Sequence, residues 1–77
     1  TAIRYVVPAP GEYVEVAVYD LAGRRIRTLV SEEQAAGEHT VLWRGRDDHT
    51  REVASGVYFY RVRIGAYRTE RKMLLLK

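Results

Sequence analysis

Apolar residues in this chain recur at every second position and never hold a helical period for three turns, so its regular elements are expected to be strands throughout. The clearest run covers residues 13–19. Val14, Val16 and Val18 share one face there, with Tyr13, Glu15, Ala17 and Tyr19 on the other. A pleated strand sends alternate side chains to opposite faces, so the valine face is expected to be buried.

Turn residues divide the remaining alternation. Ala2 to Val7 reads as a first strand, stopped by Pro8-Ala9-Pro10-Gly11. Asp20-Leu21-Ala22-Gly23 reads as a hairpin turn, in which the aspartate bonds the backbone two residues on and the glycine takes positive φ. In the returning strand, residues 24–30, Ile26 and Val30 fall on one face and Leu29 on the other, which predicts a bulge near Thr28. Ser31-Glu32-Glu33-Gln34 is polar and begins with a helix-capping residue, and is expected to be a loop. Gly37 opens a strand with His39, Val41 and Trp43 on one face, and Trp43 is the expected core anchor. Residues 45–52, all polar or glycine, form the longest exposed loop, with a short seventh strand expected near Val53. From Val57 to Ile64, Tyr58, Tyr60, Val62 and Ile64 share a face. Gly65-Ala66 then reverses the chain into a last strand in which Met73, Leu75 and Arg71 point inward. Leu74 and Leu76 fall on the opposite face and need cover from a sandwich edge or a partner.

About seven strands joined by turns imply an all-β fold, an immunoglobulin-like antiparallel β-sandwich, with a small closed barrel as the alternative. At 77 residues there is room for one domain. Domains of this size often carry disulfides or a metal, but the chain has no cysteine, which excludes disulfide staples, thiolate zinc sites, iron–sulfur clusters and cysteine nucleophiles. No apolar run approaches the length of a membrane-spanning helix. The first residue, Thr1, suggests an excised or processed piece.

No reaction chemistry assembles from these residues. His39 lies mid-strand and His49 in the polar loop, neither beside a nucleophile in a motif. Asp47 and Asp48 beside His49 are the weak metal candidates, but the loop lacks a calcium loop's alternating acids, glycine and closing glutamate, so turn and cap roles are expected. The chain carries a net charge of +3. Arg25, Arg27, Arg61, Arg63, Arg68 and Arg71 raise nucleic-acid binding. The charge is too small for that footprint, and Glu12, Glu15, Glu38, Glu52 and Glu70 are spaced as cross-strand partners. The residues alone point to a noncatalytic β-sandwich of binding or structural type, with no cofactor and no nucleic-acid partner.

Four segments, in order, resemble the FlgD-like immunoglobulin domains and the related C-terminal sorting domains of type IX secretion cargo. These are Tyr19-Asp20-Leu21-Ala22-Gly23-Arg24, residues 36–43 ending in Trp43, residues 54–62 with Gly56, Tyr58 and Tyr60, and the ending Lys72-Met73-Leu74-Leu75-Leu76-Lys77. The resemblance extends from Thr1 to Lys77, with Asp20, Gly23, Gly37, Trp43, Gly45, Gly56, Tyr58 and Tyr60 as its structural signature. Arg44, Thr50 and Glu52 depart from the family's pattern, which has an acid or amide, a glycine and a proline there. The resemblance implies a noncatalytic C-terminal module of an exported, cell-surface bacterial protein, recognised by the secretion machinery through Lys72, Met73, Leu74, Leu75, Leu76 and Lys77. Its alternative is a structural subunit or spacer of an extracellular filament or appendage, partnered by neighbouring subunits through strand edges.

Overall fold

Six strands, not seven, make up the structure, a computed structural model that describes all of residues 1–77. They are β1 (Ala2–Val7), β2 (Glu12–Tyr19), β3 (Arg25–Gln34), β4 (Gly37–Leu42), β5 (Gly56–Ile64) and β6 (Tyr67–Leu75). The expected seventh strand near Val53 is only an isolated bridge between Arg46 and Glu52. The chain between them closes into a tight turn too short to support a ladder.

The strands form two antiparallel sheets, one of four strands in the order β3-β2-β5-β6 and one of two, β1-β4. Their inner faces make the core, and the alternation places it correctly. Val14, Val16 and Val18 of β2 are fully buried, as are Ile3 and Val7 of β1, while Tyr58, Val62 and Ile64 of β5 are buried beside them. Burying one such aliphatic side chain is worth about 1.5–3 kcal/mol, and in a cysteine-free chain this term carries the fold. The core divides in two. Ile3, Tyr5, Val7, Val14, Val16, Val62 and Ile64 pack at one end, and Val18, Trp43, Tyr58 and Leu75 at the other.

β3 holds two departures from regular pairing. Val16 lies opposite Val30 but Ala17 opposite Thr28, so Leu29 is an extra residue; Val18 lies opposite Arg27 but Tyr19 opposite Arg25, so Ile26 is another. Each extra residue inverts the phase of the alternation. Leu29 and Ile26 both pack on the core as a result, Leu29 on both halves of it. The single bulge expected near Thr28 is thus two bulges flanking it.

Residues 31–34 are not a loop but the end of β3, with Ser31 opposite Glu15 and Gln34 opposite Glu12. The neighbouring β2 supplies a ladder, and side chains fasten the segment. Tyr13 shares a hydrogen bond with Ser31 Oγ, and Tyr5 donates its hydroxyl to Gln34 Oε1 at 2.6 Å.

Candidate functional site

The two acidic turns have the same construction. Asp20 Oδ1 accepts the backbone N–H groups of Ala22 and Arg24, both at 2.9 Å, while Oδ2 accepts Arg24 Nε at 2.9 Å. Asp47 Oδ1 accepts the N–H groups of His49 and Arg51, both at 2.9 Å, and Oδ2 accepts Arg51 Nε at 3.3 Å. Backbone hydrogen bonds accepted by the ionised carboxylate hold both groups below the usual carboxylate value, the bond from the arginine four residues on weighing most. The first turn needs a left-handed residue, supplied by Gly23 at φ 85°; in the second it is Thr50, at φ 63°. The turn therefore forms without the family's glycine.

Asp48 is spoken for as well. Its Oδ1 accepts the N–H of Thr28 at 3.0 Å, its own N–H donates to the Ile26 carbonyl at 3.0 Å, and the loop is thereby tied to the edge of β3. Asp47 and Asp48 thus cap backbone rather than converge, and no group of three or more His, Asp or Glu side chains gathers at metal-binding distance. His39 stacks on Tyr5 with ring centroids 5.5 Å apart and places Nε2 2.7 Å from the Ala35 carbonyl.

Trp43 organises the other end. Its indole N–H donates to the Arg46 carbonyl at 3.0 Å and its ring meets Tyr58 edge-on at 5.1 Å, while the Tyr58 hydroxyl donates to the Ala54 carbonyl at 2.6 Å. Gly45 is buried beneath the chain end, at φ 74°, where a Cβ would stand 3.2 Å from Leu75 Cδ2. Gly37 and Gly56 open β4 and β5. Tyr60 faces inward from β5 and lines a groove on the β1 side.

The candidate partner edge divides into side chains that are occupied and side chains that are free. Leu75 is buried against Trp43 and Tyr58, and Met73 packs half-buried beside it. Lys72 Nζ lies 5.9 Å from the centre of the Phe59 ring. Lys77 donates its backbone N–H to Ser55 Oγ at 3.1 Å and pairs its ammonium with Glu52 at 3.6 Å. Leu74 and Leu76 remain 57% and 77% exposed. β6 is an edge strand, hydrogen-bonded only to β5, so these leucines border unpaired backbone. Sequence reasoning missed the groove. Its residues come from β1, β5 and β6, and no local pattern brings them together.

A two-layer antiparallel sandwich closed by aspartate turns, with both edges of its small sheet unpaired, defines an immunoglobulin-like domain. The chain belongs to the FlgD Ig-like domain family, which matches residues 1–68. The match ends within β6, before residues 72–77, so it lends nothing to the sorting-domain likeness of that segment. No curated protein and no solved structure matches the chain.

Proposed function

We propose that this domain is a noncatalytic structural module that joins its protein to neighbouring protein through strand edges, in an exported assembly or appendage. The observation that carries this reading is the β6 edge, where unpaired backbone runs beside exposed Leu74 and Leu76. An unpaired edge with apolar side chains is a template for strand pairing. Membership of the FlgD Ig-like family supports it. Sedimentation of the chain over rising concentration, alone and with the rest of its assembly, tests the reading: association lost in a Leu74→Lys, Leu76→Lys double variant is expected. A monomer at every concentration that also leaves the assembly unbound counts against it.

A sorting role is the second reading, favoured only by the terminal segment 72–77, whose Leu76 and Lys77 extend beyond the sheet. Its test is an exported reporter fused ahead of the domain in a cell with type IX secretion. Retention of the fusion in the periplasm removes it.

A further inference from the structure

A two-stranded sheet cannot cover a four-stranded one, and the shortfall lies on one side. β1 packs over β5, leaving the inner face of β6 open from Tyr67 to Arg71, beneath the free edge of β1, as a groove of about 480 Å³. Tyr5 and Val6 form one wall, Tyr60, Val62 and Ile64 the floor, and Tyr67 the far side. Val6 and Tyr67 are 59% and 63% exposed, so apolar surface extends from the groove to its rim.

The backbone above the groove is unpaired in a regular way. Thr1 and Trp43 exchange both of their backbone hydrogen bonds, at 3.0 Å and 2.8 Å. Antiparallel pairs alternate between bonded and non-bonded, so Ile3, Tyr5 and Val7 bond to β4, while the N–H and C=O groups of Ala2, Arg4 and Val6 point out over the groove. Six residues of β1 span about 20 Å, enough to dock one further strand.

We infer that this groove accepts an extended acidic peptide segment of a partner protein, which adds to β1 as the third strand of the small sheet. Charge selects the occupant. The five ion pairs of the chain leave Arg4 and Arg71, both at the groove, without a carboxylate. A second copy fits less well, because two β1 strands paired antiparallel through their outward-pointing residues Ala2, Arg4 and Val6 set the copies' Arg4 residues side by side at the centre, and like charges directly opposite are destabilising. Register gives the motif. Tyr67 lies opposite Ile64, Thr69 opposite Val62 and Arg71 opposite Tyr60, while Leu75 packs at the Trp43 end, beside Thr1. A strand antiparallel to β1 therefore enters at the Pro8 end. Its inward side chains are apolar, apolar and acidic in that order, each separated by one outward residue.

This inference rests on the reading of the domain as a strand-edge module and names a particular edge and partner chemistry. The probe is the blocked peptide Thr-Val-Thr-Val-Thr-Glu-Thr, added to the 77-residue chain while backbone amide exchange is followed by NMR. Saturating peptide is expected to slow exchange of the Arg4 and Val6 amides at least tenfold, and lysine in place of the peptide's glutamate to weaken binding at least tenfold. Val6→Pro removes an edge donor without touching the β4 ladder and is expected to abolish binding, with the near-ultraviolet signal of Trp43 reporting the fold. Arg71→Glu, at an exposed side chain, is expected to reverse the preference to the lysine peptide. Unchanged exchange at Arg4 and Val6 at millimolar peptide overturns the inference, as does equal binding of the two peptides. Protection of β1 that grows with protein concentration and needs no peptide also overturns it, in favour of a second copy. If only β6 amides are protected on association, the groove assignment falls and the strand-edge reading stands.

Discussion

Asp20 and Asp47 occupy the same position in two turns of one design. Each accepts the N–H groups two and four residues on through one carboxylate oxygen and the guanidinium of the arginine four residues on through the other. One joins β2 to β3, and the other folds the long loop back onto β3. Both carboxyls are held below the ordinary value of 3.8. The unfolded chain therefore takes up protons first as pH falls. Stability from these turns is present above the ordinary value and is lost as pH drops through the lowered folded-state values. Thermal melts from pH 7 to pH 2 are expected to show a flat region followed by a decline below about pH 4. Asp20→Asn and Asp47→Asn should each make that decline shallower; an unchanged profile in both variants would show that the turns carry none of it.

The twin turns differ at their left-handed residue, Gly23 in one and Thr50 in the other. A non-glycine residue in this region costs about 1–2 kcal/mol, part of which glycine gives back in unfolded-state entropy. Thr50→Gly is expected to stabilise the domain by about 0.5–1 kcal/mol in urea unfolding, and Gly23→Thr to destabilise it by a similar amount.

Trp43 is fully buried, with its indole N–H bonded, in the smaller half of the core. Trp43→Ala removes that packing and opens a cavity, at a cost of about 3–5 kcal/mol. Total stability in small domains is of the same order, so the variant is expected to be largely unfolded by far-ultraviolet circular dichroism. A loss below about 1 kcal/mol contradicts the packing of Trp43 on Tyr58 and Leu75.

Gly45 combines positive φ with close approach to the chain end. Gly45→Ala introduces left-handed strain of about 1–2 kcal/mol and presses a methyl group onto Leu75, so the loss should exceed that figure. Amide exchange should quicken first around Leu75, where β6 closes on the core.

Leu74 and Leu76 lie outside both halves of the core and are mostly exposed. Leu74→Lys with Leu76→Lys is expected to change unfolding free energy by less than about 0.5 kcal/mol. The same pair is expected to abolish association through β6, which separates a docking surface from a stabilising one.

Whatever depends on a residue and its near neighbours was legible before any fold was known. Alternation assigned the inner faces of β2 and β5 and marked β1 as a strand, and the Asp20 turn was legible from four residues, because strand periodicity and turn chemistry act over a few bonds. Features that depend on a neighbouring strand had to wait for the packed fold. Polar residues 31–34 became strand because β2 offered a ladder, and two bulges arose in β3 because Leu29 and Ile26 both had core to reach. The expected seventh strand shrank to a single bridge, since the tight turn between Arg46 and Glu52 leaves no length for a ladder. The groove under β1 has no local signature at all. It exists because two sheets of unequal width were stacked, and that inequality belongs to the packing of strands distant in the chain.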